Sequence, residues 1–476
     1  MIDTQAIRSK ILDLAMRGQL TEQLPEDGNA EELYLQIQEE RQKLIKDGSI
    51  KKNKTYPEIT NEDMLFNPPT NWKWIRFSNI ITLQSGQDLK KDEYNSNNNG
   101  IPYLTGASNF NSNNKLMINR WTTCPKSTAK QGDILLSCKG TVGKIAILHE
   151  EIVHIARQFM AIRVYLCNKA FVMFFLESII EHIKKASKGL IPGIERNDIL
   201  SLSMPLPPIA EQNRIVQKIQ QANTILDTID ELQAQYADNL TALKSKLIDA
   251  AIQGKLTEQL PEDGTAEELY KSVQKERKRQ EDDGVIKKVE LLPDVDSSNM
   301  PFSITSSWKW TLLGNMSYIV RGGSPRPIKQ YITTQENGIN WIKIGDVEKG
   351  GKYIYSTKER IIPEGESKSR RVYPGDFLLT NSMSFGRPYI SKIEGCIHDG
   401  WLLIRNLNGF DSDYLYYLLS STYLYNQFIV KASGSTVDNL NIDKVKSAII
   451  PLPPLAEQKR IVQKLEEILP LCERIN

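Results

Sequence analysis

From Ile209 to Gln253 apolar side chains return every three or four positions, at Ile215, Ile219, Ala222, Leu226, Ile229, Tyr236, Leu240, Leu243, Leu247 and Ala250, with Gln233 in the polar slot. That alternation is a heptad seam and predicts one long helix. Pro207 and Pro208 suit its start, because proline at the first helical position gives up no needed hydrogen bond. Glu211 falls near the positive end of the helix dipole, and Gly254 is a stop signal. At about 1.5 Å per residue such a helix reaches roughly 65 Å. A seam of this length requires a partner. Thr4, Ile7, Ile11 and Leu14 carry the same spacing near the N-terminus, and Ile461, Leu465, Ile468, Cys472 and Ile475 carry it near the C-terminus. The pattern predicts an antiparallel coiled coil: the long helix lies against the C-terminal helix, and the N-terminal helix completes the pair. Gln233 either sets the register, as polar seam residues do, or is tolerated at a bend.

Elsewhere the period shortens. Gly132–Ser137 (GDILLS) and Gly375–Thr380 (GDFLLT) place a Gly-Asp turn before an apolar run, the signature of a buried strand. Ile101–Leu104 and Ile339–Ile342 are further strands, while Ala170–Lys184 and Ser412–Gln427 carry helical apolar faces. These elements predict an α/β class with two similar domains.

The two domains lie within a repeat. Leu20–Gly28 and Leu256–Gly264 both read LTEQLPEDG, and the same shift of 236 aligns Ala30–Tyr34 with Ala266–Tyr270 and Trp72–Trp74 with Trp308–Trp310. Pro205–Ile219 matches Pro451–Leu465 at twelve of fifteen positions, now 246 apart, so the second variable stretch is ten residues longer. Under these shifts Asn476 corresponds to Asp230 and Met1 to Ala237, leaving only Glu231–Tyr236 without a counterpart. The chain is thus two copies of one unit, opened within a helix. Its segments are an N-terminal scaffold 1–58, a variable domain 59–204, a central region 205–294, a second variable domain 295–450 and a C-terminal helix 451–476. Pseudo-two-fold symmetry within one chain points to a partner of similar symmetry, duplex DNA above all.

Composition adds limits. A net charge of +2 and a pI near 8.0 exclude a strongly basic coat protein, but they leave room for local phosphate-binding patches. Cys124, Cys138, Cys167, Cys396 and Cys472 are scattered without a CxxC, which suits reduced thiols in a cytoplasmic protein. The N-terminus reads as no signal peptide. Phe171–Leu176 is far shorter than a membrane span.

Catalytic motifs fail in turn. Asn67–Thr70 (NPPT) approaches an adenine-methyltransferase signature, but Thr70 lacks the required ring. Gly140–Lys144 (GTVGK) approaches a phosphate loop, yet Cys138 stands where the first glycine belongs and Ile145 follows the lysine. It reads instead as a turn between strands. Trp72, Trp74, Trp308 and Trp310 read as packing anchors at each domain entrance.

The doubled PLPPxAEQxRIVxK, the GDILLS and GDFLLT runs and the circular half-repeats closely resemble the specificity subunit of type I restriction–modification enzymes. The resemblance spans essentially the whole chain. It implies two target-recognition domains, each reading one half of a split, asymmetric DNA site, with the coiled coil setting the unread gap. It implies docking of two methyltransferase subunits and of restriction subunits. It also implies no catalytic centre and no metal in this chain, with S-adenosylmethionine, ATP and magnesium held by the partners. Two alternatives stand beside it: the specificity partner of a two-subunit type II restriction–methylation enzyme, and a scaffold that reads no DNA.

Under this resemblance DNA contacts are expected from loops rich in Lys, Arg, Asn, Ser and Gly. In the first domain these are Ser85–Lys91, Ser108–Lys115, Ser137–Lys144 and Lys184–Gly189, with Gln87, Lys90, Lys91, Asn109, Lys139, Thr141, Lys144 and Lys188 as candidates. In the second they are Arg321–Lys329, Lys343–Asp346, Lys368–Arg371, Asn381–Arg387 and Ser433–Thr436. The candidates there are Arg321, Ser324, Arg326, Lys329, Lys343, Lys368, Arg370, Arg371, Asn381, Ser384, Arg387 and Ser435. Arginine and lysine suit guanine, and asparagine or glutamine suits adenine. Asn95–Asn99 reads as a flexible surface loop.

Overall fold

The heptad pattern closes into a single α-helix of 44 residues, Ile209–Ile252. Gly254, at a φ of +71° that an L side chain rarely adopts, ends it. The computed structural model describes residues 1–52, 54–111, 115–186, 193–348, 350–381, 385–432 and 440–472. The chain forms two compact units, Met1–Ala234 and Gln235–Asn476, and the long helix contributes its first part to one and its remainder to the other.

In the first unit the N-terminal helix Thr4–Met16 runs antiparallel to the long helix. Ile2 meets Gln233, Thr4 meets Asp230, and Arg8 meets Asp227 and Asn223, so rising numbers face falling ones. Gln233 is not idle in the polar slot. Its Oε1 accepts from the Ile2 amide at 2.6 Å and its Nε2 donates to the Ile2 carbonyl at 3.2 Å. Ile215, Ile219 and Leu226 are buried, and Ile229, Tyr236, Leu240 and Leu247 are half-buried. Leu243 departs from the seam at 45% exposure, and Ile7, its repeat equivalent, is 39% exposed. Shared exposure makes this a property of the repeat position.

The second unit rebuilds the first from different pieces. Ala251 and Ile252, at the end of the long helix, share a core with Ile461 and Leu465 of the C-terminal helix Leu455–Ile468. That helix is shorter than the seam predicts. Pro470 has no N–H to continue the ladder, and the chain passes into a 3-10 turn, Leu469–Cys472, after the half-buried Ile468. Ile475 lies outside the described residues.

Each variable domain is pinned where it starts and ends. Lys73–Arg76 pairs antiparallel with Ser203–Leu206, setting Trp74 opposite Pro205. Lys309–Leu312 pairs with Ile449–Leu452, setting Trp310 opposite Pro451. Between these ends lie two sheets. In the first domain an antiparallel sheet runs in the order Ile81–Ser85, Phe159–Val164, Ile134–Ser137, Ile145–Ile147. A second, mixed sheet runs in the order Trp121–Thr122, Ile101–Leu104, Ile152–Ile155, Thr128–Lys130. The second domain repeats both sheets with a fifth strand in each. The Gly-Asp runs explain the layering. Ile134 and Leu136 face the helices while Leu135 faces the other sheet; Phe377 and Leu379 face the helices while Leu378 faces the other sheet. A strand covered on both faces has to be apolar throughout.

One helix expectation is corrected. Ser412–Gln427 is two helices, Ser412–Ser420 and Thr422–Ala432. Ser421 turns to extended backbone between them, and its Oγ donates to the Leu418 carbonyl while accepting the Leu424 amide. A serine that satisfies both helix ends makes the break inexpensive.

Candidate nucleic-acid interface

The repeated scaffold sequences meet as a lock. Glu211 is fully buried and takes the Trp72 indole N–H at 2.8 Å and the Gln23 amide at 2.8 Å. Arg214 grips Asp27 through both guanidinium ends at 2.6 and 2.5 Å. The second unit repeats this with Glu457, Trp308, Gln259, Arg460 and Asp263. LTEQLPEDG and AEQxR are therefore two sides of one contact. The Arg214 and Arg460 hydrogen bonds hold Asp27 and Asp263 below the usual carboxylate range.

From this base the sheets carry a set of loops to one tip in each domain. Asp133 receives a two-pronged Arg163 at 2.9 Å, and Asp376 receives Arg405 at 2.8 and 2.6 Å, which fixes the Gly-Asp turns to the neighbouring strand. At the tip Gly86 lies against a second turn, Ala156–Phe159. A Cβ there would stand 2.0 Å from the Ala156 oxygen, and one on Gly322 would stand 2.2 Å from that of His398. Only glycine permits this approach. His154, fully buried, accepts the Ser127 amide at Nδ1 and meets the Gln87 carbonyl through Nε2 at 2.8 Å. Because Nδ1 accepts the Lys126 and Ser127 amides, the ring proton lies on Nε2, which donates, and burial pushes the ring's pKa down.

The second domain's tip gathers around Asp399. Ser324 Oγ donates to its carboxylate at 2.9 Å, His398 Nε2 lies 3.0 Å away, and Arg326 reaches it at 3.4 Å. Arg321 Nε and Asn381 Nδ2 both donate to the Asp399 carbonyl, at 3.1 and 2.8 Å. Burial works to raise the Asp399 pKa, but the Ser324, His398 and Arg326 contacts outweigh it and the carboxyl is held low.

The candidates divide by this geometry. Gln87, Lys90, Lys91, Lys139 and Thr141 are exposed on the first domain's loops, and Lys144 is half-buried with its amide on Ser137 Oγ. GTVGK is the connection between the strands Ile134–Ser137 and Ile145–Ile147. Arg321, Arg326, Lys329, Arg370 and Arg387 are exposed in the second domain, as is Lys368, whose ammonium is held on the Tyr331 hydroxyl. Four candidates are already engaged within the fold. Asn109 is 1% exposed, and its Oδ1 accepts from Thr105 and Gly106 while its Nδ2 donates to Met117. Asn381 is equally buried and positions the Asp399 turn. Lys343 is paired with Glu359, and Arg371 with Glu366 and Glu394. Lys188, Ser384 and Ser435 lie outside the described residues. The Asn-rich run is a closed turn in which Asn95 bonds the Asn97 and Asn99 amides. Sequence reasoning missed the Ala156–Phe159 and His398–Trp401 turns. Their signal was a polar pair, Arg157-Gln158 or Asp399-Gly400, between apolar strands.

The family model for the type I restriction modification DNA specificity domain matches residues 69–235 and again 306–475. The chain belongs to this family. It is 25% identical to the type I restriction enzyme EcoAI specificity subunit of Escherichia coli over 98% of this chain and 89% of that one. It is 24% identical to the EcoEI specificity subunit of the same organism over the same shares. The MjaIX specificity subunit of Methanocaldococcus jannaschii is 30% identical over 36% of this chain and 40% of its own length. A chain solved in work on complex assembly and conformational transition of the type I R-M system shares the fold, with a TM-score of 0.58 and 19% identity over 86% of this chain and 93% of that one. In this type I specificity subunit the matched segments each contain one complete pair of sheets. Among the described residues no helix is long and apolar enough to cross a membrane, and no group of three or more metal-ligating side chains gathers.

Proposed function

We propose that this chain is the non-catalytic, sequence-reading subunit of a type I restriction–modification complex acting in the cytoplasm. Each variable domain reads one half of a split, asymmetric duplex DNA site through its loop tip, and the long helix sets the unread gap. The twin scaffolds dock two methyltransferase subunits, and restriction subunits join them. S-adenosylmethionine, ATP and magnesium belong to those partners.

One observation carries this reading. The same Trp–Glu and Arg–Asp lock is built twice, while the tips it supports differ: Asp88 and Arg157 in one, Ser324 and Asp399 in the other. Equal scaffolds suit two copies of one partner, and unequal tips suit two different half-sites.

The test is a methylome of cells expressing this chain with its methyltransferase partner, beside cells lacking the chain. Adenine methylation at a split asymmetric motif, lost without the chain, is the expected result. Identical methylomes with an active methyltransferase would overturn the reading.

A further inference from the structure

The two tips correspond through matching backbone hydrogen bonds. Gly86 N donates to Phe159 O as Gly322 N donates to Trp401 O, and Gln87 N donates to Ile155 O as Gly323 N does to Ile397 O. Cys138 N donates to Gln158 O as Asn381 N does to Gly400 O. By this register Asp88 stands where Ser324 stands, and Arg157 stands where Asp399 stands. The acid moves from the loop to the turn, and the guanidinium moves from the turn to the loop, two residues beyond the Asp88 position. In the first domain the loop supplies Asp88, and the turn supplies Arg157, with Nε 2.8 Å from Asp88 Oδ2 and its amide on Asp88 Oδ1 at 3.1 Å. In the second the turn supplies Asp399, and the loop supplies Arg326, with Nη2 3.4 Å from Asp399 Oδ2.

Both guanidinium groups face solvent, with 71% of the Arg157 side chain and 84% of the Arg326 side chain exposed. Ion pairs this exposed contribute little to stability. What they do is restrict the angle of a planar fork that matches the O6 and N7 acceptors of guanine in the major groove. A loop closed onto a turn, with glycine at the point of closest approach, supplies the rigid mount.

Resting on the DNA-reading function above, we propose that Arg157 and Arg326 are the guanine-reading side chains of the first and second domains, with Asp88 and Asp399 as positioning residues that aim them. One fold thus carries its fork on the turn in the first domain and on the loop in the second, which suits two different half-sites.

The experiment is the methylome of the assembled complex carrying Arg157→Lys, Arg157→Ala or Asp88→Asn, each beside the unaltered chain. Lysine keeps the charge for a phosphate but loses the fork. Arg157→Lys and Arg157→Ala are expected to reduce discrimination at one G·C pair of one half-site roughly ten- to hundredfold. Asp88→Asn should weaken that same position and no other. The second half-site, unchanged, reports that the chain still folds and assembles. Arg326→Lys should do the converse. Full activity with Arg157→Lys but a uniform loss over all sites with Arg157→Ala would assign Arg157 to phosphate and overturn the proposal, as would an unaltered motif in every variant. An unaltered chain that directs no split motif would overturn the DNA-reading function itself.

Discussion

The Trp72 indole nitrogen donates to the Glu211 carboxylate at 2.8 Å across 139 residues of chain, and Trp308 repeats this with Glu457 at 2.7 Å. Every polar group directed at Glu211 is a donor: Trp72, Gln23, Thr21 and Asn71. An amide in its place turns its own N–H₂ against one of them. Glu211→Gln is therefore expected to destabilise the first unit by about 1–3 kcal/mol, and Glu457→Gln the second by a similar amount. Denaturant midpoints of the two single variants and the double variant check this. The sites lie in separate compact units, so the losses should add.

Burial pushes the Glu177 carboxyl up to about 7. It sits on the helix Lys169–Ala186 of the first domain. A carboxyl raised above its unfolded value favours folding while protonated. Its contribution is complete below about pH 4.3 and is lost as the pH rises through 7. Glu177→Gln removes the cost of charging it. The variant should match the parent at pH 4 and melt at a higher temperature at pH 8. Equal melting temperatures at pH 8 would show that the carboxyl is already solvated.

Asn109 distinguishes a structural from a DNA-binding asparagine. Its side chain is committed to Thr105, Gly106 and Met117. Asn109→Ala is expected to cost about 1–3 kcal/mol in stability while leaving the recognised sequence unchanged. Thermal melting and the methylation motif, measured on the same variant, separate the two roles.

Periodicity made the long helix, the twin cores and the Gly-Asp strands legible, because each depends on burying an apolar face that repeats at a fixed interval. Contacts distant in sequence were not legible. Nothing local marks Trp72 as the partner of Glu211, and only the repetition of both segments hinted that they belong together. Ser421 looks like any serine in an aromatic helix until its hydroxyl is seen closing both ends. Asn109 and Asn381 have the composition of loop residues that meet a ligand, and the same side chains cap buried turns equally well. Arg157 was passed over because strong apolar strands flank it; it stands out once Gly86 is seen against the Ala156 carbonyl.

The six residues Glu231–Tyr236 have no counterpart in the repeat, and the boundary between the compact units, Ala234 and Gln235, falls within them. An insertion there leaves each unit's own seam intact. Seven added residues turn a helix almost two full turns, so the apolar face is kept within about 20°, and they lengthen it by about 10.5 Å. If the helix is the ruler between the two readers, one heptad inserted after Ala234 should lengthen the unread gap of the methylated motif by up to about three base pairs, at about 3.4 Å of duplex for each. Both half-sites should stay the same. Methylome mapping of that variant reads the gap directly. A gap of unchanged length in an active complex would place the ruler in the partner subunits instead.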